Sequence, residues 1–261
     1  MSKKRLIPKL QLATSKNNIK KLVVVITKKF GDKIEIGDPI SQSKIFQDQS
    51  ADELIFLNIE SNRNSVKILS EVIAKVSEEI FMPLTVGGGI SSDEDFRLLL
   101  SNGADKISIN THAVETPSFI TEMSQKYGAS CVVVSIDYRK ENDGFFQVYI
   151  QGGTIATGLD PIQWAIKAEK LGAGELLLTC IDHDGMRNGI ELEIPSQIVK
   201  QVNIPVICGG GCGLAQHFSE AFLKANVEAV CAGSFFAHRD QNLIQTRAQI
   251  SNAGVLIRMQ N

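Results

Sequence analysis

A chain of 261 residues with 43% hydrophobic side chains has ample material for a large core, as one domain or two. A net charge of −2 excludes bulk attraction to nucleic acid or to an anionic membrane surface. No segment approaches the ~18 apolar residues of a membrane span, and the opening MSKKRLIPKLQLATSK lacks a signal-peptide core, so the cytosol is the expected compartment.

The first strand is predicted over Arg5 to Leu12. A long connection, residues 13–37, follows, with its own β-rich run Leu22-Val23-Val24-Val25-Ile26-Thr27 and six lysines, among them Lys20, Lys21, Lys28 and Lys29. A loop of that length in a compact domain is usually functional. Asp38 and Pro39 are N-cap and first residue of a helix. A strand over Glu53–Ile59 and a helix over Ser65–Glu79 come next, then a strand over Leu84–Val86. Ser92 caps the following helix, with Asp93, Glu94 and Asp95 at its positive end. A strand over Lys106–Asn110 and a helix over Pro117–Tyr127 complete the first half. The second half opens with a strand over Cys131–Tyr138 and a hairpin over Arg139–Gly153, turning at Asn142-Asp143-Gly144 with Phe145–Ile150 returning. Asp160-Pro161 starts a helix, Glu175–Ile181 is a strand, and a helix begins near Pro195. Strands over Pro205–Cys208 and Ala229–Phe235, with two more helices, end the pattern.

The two halves repeat. Pro83 and Gly87-Gly88-Gly89 align with Pro205 and Gly209-Gly210-Gly211, and Asn110-Thr111 with Gly233-Ser234. Ala51–Leu57 matches Ala173–Thr179 in the same order. Eight strand-helix units in about 250 residues is the rhythm of an α/β fold of the (β/α)8 TIM-barrel type. We expect a single barrel domain over 1–261, with half-barrels of about 1–125 and 126–261.

Active sites on that fold lie at the C-terminal ends of the strands. Those ends are Gln11, Asn58, the glycines at 87–89, Asn110-Thr111, Asp137, Thr179 with Asp182 and Asp184-Gly185, the glycines at 209–211, and Gly233-Ser234. Glycine runs allow the backbone to approach an anion with successive N–H groups, or they merely permit tight turns. Two such runs in symmetric positions favour two phosphate sites: Gly88, Gly89, Asn110 and Thr111 on one side, and Gly210, Gly211, Gly233 and Ser234 on the other. Asp137 is a candidate general acid/base, or a cap on its hairpin; Asp184 is a second acid, or a cap on the Gly185 turn. His112, His183, His217 and His238 carry no mark of a base. The five cysteines fit buried small side chains, and no zinc spacing exists, so neither metal nor cofactor is expected. At the opposite face Arg5, Glu53, Lys106 and Glu175 each open an apolar strand. Pointing inward they would form a mutually paired ring; otherwise they are solvated strand starts.

TVGGGI, GADKISIN, DELIFL, GAGELLLT, IDHDG and PVICGGG together resemble the cyclase subunit of imidazole glycerol phosphate synthase, the HisF family, over essentially the whole chain. The resemblance implies a partner glutaminase (HisH-like) at the N-terminal barrel face, whose ammonia crosses the barrel to a phosphorylated small-molecule substrate. It implies that Gly89, Asn110 and Thr111 hold one phosphate, and Gly185, Gly211, Gly233 and Ser234 the other. It makes Asp137 catalytic and Arg5, Glu53, Lys106 and Glu175 the ammonia gate. The family has Cys-Leu-Asp where this chain has Lys9-Leu10-Gln11, so the second catalytic aspartate is missing. The family's loop lysine cannot be placed on Lys20 or Lys21. That departure resembles a paralogous group serving surface-sugar amidination, with a sugar amidotransferase as third protein. The alternatives are a genuine cyclase of histidine biosynthesis and a non-catalytic phosphate-binding scaffold.

Overall fold

The computed structural model describes residues 3–60, 65–237 and 242–258; His238 lies outside them. The strands in chain order are β1 (Arg5–Ser15), β2 (Asn18–Ile26), β3 (Ile34–Gly37), β4 (Leu54–Asn58), β5 (Leu84–Gly87) and β6 (Lys106–Ile109). They continue as β7 (Val132–Lys140), β8 (Phe146–Ile150), β9 (Ile155–Ala156), β10 (Glu175–Cys180), β11 (Val206–Gly209) and β12 (Ala229–Ala232). Eight of them, β1, β4, β5, β6, β7, β10, β11 and β12, pair in parallel with their neighbours. Pairing of β7 with β10 and of β12 with β1 closes the ring into a (β/α)8 barrel.

The helices are α1 (Pro39–Asp48), α2 (Ser65–Ser77), α3 (Asp93–Ser101), α4 (Thr111–Glu115), α5 (Ser118–Tyr127), α6 (Pro161–Lys170), α7 (Glu193–Ile198), α8 (Ala215–Glu220) and α9 (Leu243–Asn252). Local chemistry starts several of them where expected. Asp38 accepts from Ser41 N before α1, Ser92 from Asp95 N before α3, and Asp160 from Ile162 N and Gln163 N before α6.

Residues 13–37 are not a loop. β1 runs on to Ser15 and returns as β2, with Gln11 opposite Val25 and Ala13 opposite Val23; β3 then pairs with β2. The β-branched run satisfies its backbone on the protruding tip of β1, and Ala13, Val23 and Val25 bury together. Three smaller differences lie at the ends of elements. Cys131 sits half-buried on a 3-10 turn after Gly128, whose φ of 92° ends α5. The unforeseen α4 fills the turn after β6, and β12 stops at Ala232 before the Gly233-Ser234 turn.

Alternation along each strand sorts side chains into two cores. Leu6, Leu10, Leu54, Phe56, Val134 and Leu176 face the helices. Ile7, Ile55, Val133, Leu177, Ile207, Ala229 and Cys231 fill the barrel interior. Below that apolar layer, at the strand starts, the four charged residues meet. Arg5 Nη1 lies 2.8 Å from Glu53, Arg5 Nη2 also bonds Glu175, and Lys106 Nζ lies 3.0 Å from Glu53 and 2.8 Å from Glu175. Thr85 Oγ1 donates a further 2.7 Å bond to Glu53. Two cations and two carboxylates alternate, so no buried charge is left uncompensated.

Glu53→Gln leaves Arg5 and Lys106 sharing one carboxylate. The expected loss is about 3 kcal/mol, read as a lower urea midpoint at unchanged slope; an unchanged midpoint would mean that the ring contributes nothing to stability.

Candidate functional site

The C-terminal ends of the strands form a mouth divided into two unequal cavities. The larger, about 510 Å³, is lined by Asn58, Gly88, Gly89, Ser108, Asn110, Thr111, Ser135, Asp137 and Thr179. Phe30 and Lys33, from the turn between β2 and β3, reach it from above. The smaller, about 20 Å³, is lined by Asp184, Gly185, Gly210, Gly211, Gly233 and Ser234. It has room for about one water. Lys9, Gln11 and Thr27 line both and stand between them.

That dividing wall is a hydrogen-bonded cluster. Thr27 Oγ1 donates to Gln11 Oε1 at 3.0 Å and lies 3.3 Å from Asp184 Oδ2. Gln11 Nε2 donates to Asp184 Oδ2 at 3.4 Å. Lys9 Nζ is 3.4 Å from Thr179 Oγ1 and 3.7 Å from Asp184 Oδ1. The end of β2 is pressed against the loop after β10: Lys29 N donates to the Asp184 carbonyl, and a Cβ on Gly185 would collide with the Thr27 carbonyl oxygen. Asp184 therefore anchors the β1–β2 extension as well as its own turn. Gly88 is equally constrained, with φ of 115° and the Asn58 carbonyl where a Cβ would stand.

Asp137 faces the larger cavity and accepts 2.8 Å from Asn110 Nδ2. Burial pushes its carboxyl up to about 7, with Asp184 adding to the rise and Lys9 and Asn110 opposing it. Burial alone would lower the Lys9 ammonium, but Asp184, and to a smaller extent Cys231 and Asp137, more than offset this and hold it above the usual lysine value. The mouth thus holds a buried cation kept charged by its neighbours, and beside it a carboxyl lifted to about 7. Such a group can give or take a proton at physiological pH.

The predicted site residues separate into three groups. Gly88, Gly89, Asn110, Thr111, Asp137 and Thr179 gather at the larger cavity; Asp184, Gly185, Gly210, Gly211, Gly233 and Ser234 at the smaller. Arg5, Glu53, Lys106 and Glu175 stand at the other end of the barrel. Thr111 Oγ1 is already engaged by Gln151 N at 3.0 Å. Gln11 bonds Thr27 and Asp184, so its immediate neighbour is Asp184. Lys20 and Lys21 are exposed on β2; the lysines that reach the mouth are Lys9 and Lys33. Sequence reasoning passed over Lys9, Thr27, Lys33, Ser108 and Ser135. A signal for Lys9 existed: it follows Arg5 and Ile7 at spacing two, hence inward. His183 Nδ1 lies 2.7 Å from the Gly189 carbonyl, His217 Nδ1 accepts from Gly213 N, and His112 packs edge-on against Phe119. Among the described residues no group of three His, Cys, Asp or Glu could hold a metal, and no helix is long and apolar enough to cross a membrane.

Comparison with known proteins shows the family of the chain. Residues 15–242 match the family model described as histidine biosynthesis protein. A chain of Prochlorococcus marinus (strain MIT 9313), provisionally named imidazole glycerol phosphate synthase subunit hisF2, is 47% identical over 261 residues, all of both chains. The imidazole glycerol phosphate synthase subunit HisF of Alkaliphilus metalliredigens (strain QYMF) is 40% identical over 258 residues, 99% of this chain and 100% of that one.

The Asp137 carboxyl, followed by ¹³C NMR, should titrate with a midpoint of about 7, and Lys9→Met should move the midpoint upward because an opposing cation is removed. The folded-state value lies above the unfolded 3.8, so protonated Asp137 favours the folded state fully below that pH. This contribution is lost as pH rises through about 7. Asp137→Asn should accordingly flatten the fall in stability between the unfolded 3.8 and about pH 7; a wild-type midpoint near the ordinary aspartate value would contradict the assignment.

Proposed function

The chain belongs to the histidine biosynthesis protein family, in its HisF-type branch, and from that premise we propose that it is an ammonia-accepting synthase subunit of a glutamine amidotransferase. A HisH-like glutaminase docks on the N-terminal face, around the Arg5–Glu53–Lys106–Glu175 ring. Ammonia enters through that ring, passes the apolar layer of Ile7, Ile55, Val133, Leu177 and Ile207, and emerges at the mouth. A phosphorylated substrate is held there by the glycine turns of β5 and β11, with Asp137 as general acid/base.

The observation that carries the finer assignment is Gln11. Its amide cannot exchange protons near neutral pH, and it is fixed between Thr27 and Asp184. A second acid/base at this strand end is therefore absent, which favours a paralogue whose ammonia serves surface-sugar amidination over a genuine imidazole glycerol phosphate cyclase. One feature supports the cyclase as second reading: Asp184 stands beside Gln11 at the mouth and supplies another carboxylate. Gln11→Asp would not simply restore an acid, because it sets a carboxylate against Asp184 and raises the pKa of one of the two.

Two measurements test this. Co-expression with a HisH-like glutaminase should give a co-purifying complex with altered glutaminase activity; no complex together with unchanged activity rules the partner out. With ammonium salts and the bisphosphorylated substrate of imidazole glycerol phosphate synthase, turnover should fall ~10²-fold below that of the Alkaliphilus metalliredigens HisF. Turnover at ~1 s⁻¹ or faster decides for the cyclase.

A further inference from the structure

A barrel interior is a packed core, not a pore, so whatever crosses it must pass side chains that yield. Above the ring of Arg5, Glu53, Lys106 and Glu175 stands the apolar layer, where Ile7 lies opposite Cys231 in register. Lys9, two residues on, points inward one level nearer the mouth. Its side chain leaves β1 but ends on the far wall. Lys9 Nζ is 3.4 Å from Thr179 Oγ1 on β10 and 3.7 Å from Asp184 Oδ1 just beyond it. In the ring of strands β12 and β11 separate β1 from β10, so the stem crosses the interior instead of lining one wall. Lys9 is 3% exposed, although it borders both cavities. Filling that space needs no charge, since an apolar side chain of similar length would avoid the cost of burying an ammonium. The contacts that hold it are long beside the 2.8 and 3.0 Å of the lower ring, and its flexible four-carbon stem lets the head swing.

We propose that Lys9 is a latch across the barrel axis, a second closure that bars the path between the apolar layer and the mouth while its ammonium is held on the β10 side. The inference rests on the reading that ammonia crosses the barrel, and it adds a barrier at the end opposite the charged ring. Where the family resemblance puts a cysteine, too short to reach β10, this chain has a side chain that spans the axis.

Cys231 reports on the barrier, because its thiol lies in the apolar layer, one level below Lys9. The full chain is treated with methyl methanethiosulfonate, a small neutral thiol reagent, and the rate at each cysteine is read by peptide mass spectrometry. In the wild type Cys231 should stay protected while half-buried Cys131 reacts. Lys9→Ala should speed the reaction at Cys231 about tenfold or more, because the rate at a buried group follows how often its path is open. Burial pushes the Cys231 thiol up to about 11 and Lys9 opposes this. Loss of Lys9 would by itself slow thiolate chemistry, so a faster rate reports access. Cys208, buried on the helix side of the sheet, should stay protected throughout. Should Lys9→Ala strand Asp184 and fail to fold, the double variant Lys9→Ala with Asp184→Asn removes both charges and should open Cys231 equally. A reactive Cys231 in the wild type, protection in both variants, or equal acceleration at Cys208 in both overturns the latch. None of these results touches the glutaminase reading, which falls only if no complex forms and glutaminase activity is unchanged.

Discussion

The interior of a closed barrel is dry, and every charge placed on its axis must find a partner there. That constraint organises this molecule from end to end. At the strand starts Arg5 and Lys106 are neutralised by Glu53 and Glu175 in a closed alternation. One apolar layer higher, Lys9 is almost wholly buried and pairs with Asp184 and Thr179. Removing one member of such a set costs more than the set contributes, because the remaining charge is stranded. The inward positions of β1 therefore cannot vary independently of those of β4, β6 and β10.

The Lys9–Asp184 pair also explains how the β1–β2 extension is held. Asp184 receives Gln11 from β1, Thr27 from the end of β2 and Lys9 from below, while its carbonyl accepts from Lys29 N. Gln11 can bridge Thr27 and Asp184 because an amide offers an acceptor and a donor at one position. A carboxylate there would face Asp184 with like charge. The amide at 11 and the long antiparallel extension thus fit one another: the amide fastens the end of β2 to Asp184. The same wall reduces one half of the mouth to a space for about one water and leaves the other half open.

What could be read from the sequence follows from how local each signal is. The caps at Asp38, Ser92 and Asp160 and the Asp143-Gly144 hairpin depend on residues within a few positions, and the structure has them as expected. The barrel was legible because its half repeats, and the HisF-type family because its motifs span the chain. The charged ring could be anticipated because four strands each open on a charge, and the strand period points them one way. Residues 13–37 were misread because strand pairing of β2 depends on how far β1 protrudes beyond its barrel neighbours, which no local pattern encodes. Thr27, Lys33 and Ser108 were missed for the related reason that they reach the mouth through register, not through any motif of their own.

The mouth's charge arrangement follows from these facts. Lys9 and Asp184 cancel, and Asp137 is only partly ionised near neutral pH because burial disfavours its charge. The remaining groups on the floor include the amides Gln11, Asn58 and Asn110 and the hydroxyls Thr27, Ser108, Ser135 and Thr179. Such a floor is nearly neutral but rich in directed hydrogen bonds. It would repel a dianionic group less than a floor of several carboxylates would, and Lys9, paired with Asp184, attracts one only weakly. Negative charge on a ligand is better accommodated at the glycine turns of the rim, where backbone N–H groups can approach closely. The amides at the middle of the floor stand beside a carboxyl that burial lifts to about 7. A cavity of that design offers directed hydrogen bonds more than net charge, and Asp137 is the group in it that changes its proton near neutral pH.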